Sequence, residues 1–270
     1  MISSIGSVIS RLTRGALVVL PLLAAFTPGA RAAMPLASHR VVYDLSLGTV
    51  RPDTTIASAS GRMALEFQDV CDGYIYLQRV RTRILYTEGE QLVTDYSLSS
   101  WDSRDGSQFR FSLNQAANGN ELERFEGTAT IGPDGGKVVY TVPEGKELEL
   151  PPGVIFPVTH TKKILEQARK GNRLLTVYIF DGGDEEALST ATAFIKPTDS
   201  RDAPKGMENM PAWRIRMGFF DIEGRESLPS FEVSFRLFDN GVADRLDMDY
   251  GDFTLKGKIV YFRLLEEPEC

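Results

Sequence analysis

Only two histidines occur in the 270 residues, His39 and His160, so a three-histidine zinc centre is excluded. The chain has no Gly-x-Ser-x-Gly elbow and no phosphate-binding glycine loop, so the usual serine-hydrolase and nucleotide-binding signatures are missing. Both histidines read as structural, one at a strand end and one at a helix start. Carboxylates are the other resource. Asp181, Asp184, Glu185 and Glu186 form one acidic run, and Asp247, Asp249 and Asp252 form another. Oxygen-rich loops can hold calcium, and two carboxyls held roughly 5–10 Å apart in a cleft can hydrolyse glycosides. Neither run has EF-hand spacing, and Asp247 and Asp249 alternate with Leu246 and Met248 as the wet face of a strand does. The expectation is charged turns with no metal, no cofactor and no catalysis. Asp181, Asp184, Asp249 and Asp252 are the residues to inspect for an envelope hydrolase.

Two cysteines complete the reactive inventory, Cys71 and the last residue, Cys270. Outside the cytoplasm an even pair is most simply a disulfide. The competing readings are two buried thiols, or a redox-active cysteine that would lack its usual C-x-x-C partner. The compartment is read from residues 1–32. Arg11 and Arg14 make a basic segment, Gly15 to Phe26 an apolar one, and Ala30-Arg31-Ala32 a small-x-small cleavage site. A signal peptide removed before Ala33 is expected. The alternative is a membrane anchor, but the apolar segment contains Pro21 and falls short of the roughly 20 residues that span a bilayer. No later stretch is apolar enough to cross, so stable membrane insertion is not expected. Removal of residues 1–32 takes away three arginines and no acid, leaving a net charge of −10. Such acidity argues against nucleic acid or an anionic membrane surface as the main partner.

The elements that would position these residues are strands. Arg40–Leu47, Gly61–Phe67, Tyr74–Tyr86, Leu92–Trp101, Gln108–Leu113 and Phe125–Ile131 alternate with a period near two, and glycine- and asparagine-containing turns separate them. The second half repeats the style in Leu174–Phe180, Thr190–Ile195, Trp213–Phe220, Phe231–Phe238, Ala243–Tyr250 and Phe253–Leu265. In Phe231–Phe238 the apolar Phe231, Val233, Phe235 and Leu237 share one face, and Glu232, Ser234 and Arg236 take the wet one. One helix is expected, Thr159–Lys170, entered at Pro157 and left at Gly171, with Thr161, Ile164, Leu165 and Ala168 on one face. Leu150-Pro151-Pro152-Gly153 and Lys196–Pro211 read as loops. Short turns imply antiparallel neighbours, and so many hairpin-linked strands must manage their edges. The fold class is therefore all-β: residues 33–270 form a single domain, one long antiparallel sheet coiled into a spiral or open barrel, with a two-sheet sandwich as the runner-up. A curved sheet with an aromatic inner face would present a ligand groove, for which Trp213, Phe219 and Phe220 are candidates.

Particular segments carry a family likeness. His39-Arg-Val-Val-Tyr-Asp-Leu-Ser-Leu47, Gly61–Phe67 leading to Cys71-Asp-Gly-Tyr74, Phe156-Pro-Val-Thr-His160, Tyr178-Ile-Phe-Asp-Gly182 and Met248–Phe253, followed by the terminal cysteine, occur in this order over nearly the whole chain. The sequence resembles the EipB-like cell-envelope integrity proteins of α-proteobacteria. That resemblance implies a periplasmic antiparallel β-spiral and a disulfide at Cys71 and Cys270. It also implies a non-enzymatic role in maintaining a Gram-negative envelope, through a periplasmic protein or peptide partner. A carrier of a lipid or other apolar ligand is the alternative. The segment Lys196–Pro211 carries no part of the likeness.

Overall fold

The computed structural model describes residues 35–222 and 227–270; the expected signal peptide and the start at Ala33 lie outside the described residues. Alternation becomes strand almost throughout. The first half of the sheet comprises β1 (His39–Val50), β2 (Ile56–Val70), β3 (Gly73–Tyr86), β4 (Gln91–Ser103), β5 (Gln108–Ala117), β6 (Asn120–Gly132), β7 (Gly135–Val142) and β8 (Glu147–Leu150). A two-residue β9 (Val154–Ile155) precedes helix α1 (Pro157–Arg169). The second half comprises β10 (Leu174–Phe180), β11 (Leu188–Thr198), β12 (Ala212–Asp221), β13 (Phe231–Phe238), β14 (Ala243–Asp249) and β15 (Phe253–Leu264).

Strands adjacent in sequence pair antiparallel from β1 to β8 and from β10 to β15, while β1 pairs antiparallel with β15 and β9 lies parallel to β10. The result is a single 15-stranded sheet nearly closed into a barrel, with one seam between β8 and β9. Two packed sheets are not formed. Backbone chemistry sets the tightest turns. Asn118 and Gly119 both take positive φ, 51° and 84°, which a two-residue hairpin between Ala117 and Asn120 requires. At Gly136 a Cβ would lie 1.9 Å from the Thr130 carbonyl oxygen, so β6 and β7 meet there only because no side chain intervenes.

Several elements differ from the sequence reading. Helix α1 starts at Pro157, because proline takes the first helical position, where its missing N–H costs nothing. β7, β8 and β9 were not foreseen: two of them are four residues or shorter and flank a proline pair, too short for periodicity to register. β11 runs on to Thr198, and the rest of the Lys196–Pro211 segment folds back over the outside of β13. Arg236 is therefore not on a wet face. It is 1% exposed, its guanidinium meets both Asp244 oxygens at 2.6 and 2.8 Å, and Nη1 donates to the carbonyls of Asp199 and Arg201. Met207 packs beside it with Phe238 and Val242. One buried cation thus organises a loop otherwise poor in apolar residues.

The chain's end is tied at Cys71, in the β2–β3 turn: Cys71 and Cys270 lie at disulfide distance, with Cα atoms 5.5 Å apart and a sequence separation of 199. Arg104 braces the same turn, donating to the carbonyls of Cys71 and Val70 and pairing with the Asp69 carboxylate. Closing so long a loop removes denatured-state entropy, equivalent to about 5 kcal/mol at most. Replacing both cysteines by serine is expected to lower stability in urea unfolding by roughly 2–4 kcal/mol and to expose the terminal residues to proteolysis. Arg236→Met strands the Asp244 carboxylate in a buried site. It should cost about 3–5 kcal/mol in the same measurement, far more than loss of the exposed Arg62–Asp44 pair.

Candidate ligand-binding lumen

Helix α1 lies across one mouth of the barrel. Its apolar face, Ile164, Leu165 and Ala168, packs with Phe67 and Tyr74 from one wall and with Ile195, Ile215 and Leu237 from the other. Both ends are pinned. At the N-terminus the Val158 N–H donates to Asp102 Oδ1 of β4 at 3.2 Å, so the cap comes from a strand and not from the helix's own flanking residue. At the C-terminus Arg169 donates to Asp239, to Oδ1 at 2.6 Å and to the carbonyl at 2.8 Å, in the turn after β13.

Beneath the helix lies a cavity of about 810 Å³. Its walls are the inward positions of the strands: Tyr76, Val80 and Ile84 of β3, Tyr96 and Leu98 of β4, Phe231, Val233 and Phe235 of β13, and Leu246 and Met248 of β14. At the end away from the helix, Phe219, Phe231, Tyr250 and Phe253 form a row of rings with centroids 5.3–6.0 Å apart. The lining is largely apolar, and its charged groups need separate account. Asp102, 1% exposed, has its carboxyl pushed up to about 7 because burial penalises the anion more than the Val158 N–H and Lys162 stabilise it. Asp181 presents its surface to the cavity while protein surrounds it, and that desolvation raises it to about 6. Burial pulls His160 down to about 4 and also lowers His39, whose Nδ1 lies 2.8 Å from the Ala37 carbonyl. The phenols of Tyr43, Tyr76 and Tyr96 are raised by desolvation and stay neutral.

The sequence candidates separate cleanly. Phe219 lines the cavity. Trp213 shares its face of β12 but is 7% exposed in the cluster under α1 and does not border the cavity. Phe220 points to the opposite face, where its ring covers Gly218; adjacent strand residues cannot both face inward. Among the acids, Asp184 caps a short 3-10 turn through the Glu186 N–H, Asp249 accepts from the Gly251 N–H, and Asp252 sits in the exposed β14–β15 turn. Only Asp181 of those four reaches the lumen. Among the described residues no cluster of three or more His, Cys, Asp or Glu is placed to hold a metal ion, and no helix is long and apolar enough to cross a membrane.

The EipB-like family model matches residues 30–266. The chain belongs to the EipB-like family. The cell envelope integrity protein EipB of Brucella abortus is 29% identical over 240 residues, covering 86% of this chain and 85% of that protein. A crystal structure of a beta-barrel-like protein of a domain of unknown function, also from Brucella abortus, superposes with a TM-score of 0.80 at 27% identity. It covers 87% of this chain and 100% of its own. Neither description states an enzymatic activity.

The residues that sequence reasoning missed are Asp102, Tyr76 and Tyr96. A signal was available: Tyr96, Leu98, Ser100 and Asp102 share the inward parity of β4, so a carboxylate stands where the pattern calls for a core residue. Its titration gives a test. Asp102 holds its proton more tightly folded than unfolded, so its contribution to stability is complete below about pH 4 and lost as pH rises through about 7. Asp181 acts in the same direction up to about 6, whereas His160, lowered to about 4, makes stability rise between there and 6.5. Asp102→Asn keeps an oxygen for the Val158 N–H and removes one titration. Relative to the parent it should gain on the order of 2–4 kcal/mol between pH 4 and pH 8 in urea unfolding. A difference independent of pH would show that the carboxyl ionises freely.

Proposed function

We propose that this protein serves cell-envelope integrity from the periplasm, after removal of residues 1–32, as a non-enzymatic binder that takes an apolar ligand into its lumen. The observation that carries the reading is the cavity of about 810 Å³. It lies within the roughly 300–1,000 Å³ typical of small-ligand sites, and such sites are likewise mostly apolar with a few placed polar groups. The family's envelope-integrity relative supplies the setting, and the cysteine pair at disulfide distance suits an oxidising compartment.

A protein or peptide partner is the second reading, and one feature favours it. β6 pairs with β7 only from Glu126 onward, so among the described residues Asn120–Phe125 carry no neighbouring strand on that edge and can accept an added one.

The lumen reading is tested by native mass spectrometry of the protein purified from a Gram-negative host. Co-purifying apolar species are expected in the parent. They should be absent from Val80→Trp, which fills the cavity from the wall of β3 and leaves both helix anchors intact. An empty parent whose envelope partner is still captured, and whose capture is lost on Leu122→Pro in the free edge of β6, would replace this reading by the second.

A further inference from the structure

The charges of the lumen select among apolar ligands. Among the described residues no lysine or arginine borders the cavity; the ionisable groups on its described wall are Asp102, Asp181, two histidines and tyrosines. Two buried side-chain atoms lack a hydrogen-bond partner among the described residues, Asp102 Oδ2 and His160 Nε2. Both residues border the cavity at the first turn of α1, and they are 1% and 4% exposed. Lys162, whose charge acts on Asp102, lies over the Tyr74 ring at 4.2 Å and does not itself border the cavity.

An orphaned carboxyl oxygen and an orphaned imidazole nitrogen each need a hydrogen-bond partner, and a hydroxyl or amine head group supplies one whichever of the two carries a proton. Leaving them unmet in a desolvated site costs free energy that a ligand bearing donors recovers. A carboxylate or phosphate brought to the same place would add negative charge to a wall that already holds Asp102 and Asp181 and, among its described residues, no lysine or arginine to offset it. We infer that the lumen takes a single-chain amphiphile whose head group donates hydrogen bonds and carries no negative charge, a long-chain amine or alcohol, seated against Asp102 and His160. The alkyl chain then runs down the apolar wall toward the aromatic row at Phe219 and Phe231. A fatty acid or an anionic lipid is rejected. An amine is favoured over an alcohol, because it adds charge complementarity to the donors.

This inference rests on the lumen reading, and one experiment separates the two. The full chain, freed of co-purified lipid, is loaded with the neutral fluorescent probe Nile red. Dodecylamine, dodecanol and dodecanoate, which share one chain length, then compete for it at neutral pH. Displacement in that order is expected, with dodecanoate weaker than dodecylamine by about tenfold or more. Asp102→Asn should bring the amine and the alcohol together and narrow the gap to dodecanoate. Asp95→Asn, which removes a carboxylate from the outer face of the same strand, should leave the ranking unchanged. Dodecanoate competing as well as dodecylamine would overturn the head-group inference and leave the lumen reading in place. Failure of Nile red to bind, or of all three to displace it, would overturn both.

Discussion

The ladder between β1 and β15 makes one sheet out of two. Each half of the chain is a meander in which strands pair with their neighbours in sequence, and within a half only short turns have to close. The halves meet through the pairs from His39–Leu264 to Val50–Phe253, the first and last strands of the chain. Everything inside the barrel depends on that ladder. It brings the inward residues of β2–β4 opposite those of β12–β14, and it sets the width of the mouth that α1 must cover. The remaining seam is handled differently. β8 and β9 do not pair with each other; the chain runs from one to the other through Pro151–Gly153, and Phe109, Phe156 and Phe180 pack together behind the join. Edges this short, one of four residues and one of two, offer little template for a foreign strand.

The helix explains why the lumen is a cavity and not a core. Thirteen residues span about 20 Å, enough to bridge the mouth, and the anchors at Asp102 and Asp239 hold the helix across it. Its apolar side fills the space next to Trp213, Ile215 and Leu237, and below that level the inward side chains of the strands leave the cavity unfilled. Asp102 therefore has two roles that conflict. As a cap it is best ionised, and as a buried lumen residue it is best neutral, which is why its carboxyl titrates near neutrality.

Much of this was legible in the sequence, and the limits have physical causes. Period-two patterns located twelve of the strands, since each has one face on the lumen or core and one in water. β9 escaped because two residues have no period. Arg236 was misplaced because parity tells which way a side chain points but not what covers that face; the covering loop comes from about 35 residues upstream and has no periodicity of its own. The pair Phe219–Phe220 shows the same limit from the other side. Composition marked both rings as candidates, and the pleat admits only one. Asp102 was readable in principle, as the one charged residue on the inward parity of β4, but only once that strand's inner face was known.

The placement of β1 has a temporal consequence. It is the first strand of the sheet to be synthesised, and one of its two edges has no partner until β15, the last, is complete. Strands β2 to β7 can assemble from local hairpins as they appear, whereas the β1–β15 contacts span more than 200 residues and must wait. Through that interval the backbone of Val41, Tyr43 and Leu45 lies along an open edge that a foreign strand could pair with. Arg40 and Asp44, on the opposite face of the same strand and paired there with Glu66 and Arg62, place charge where a wrong neighbour would dock. The residues that guard this edge in the half-made chain are thus among those that contribute least to the finished one.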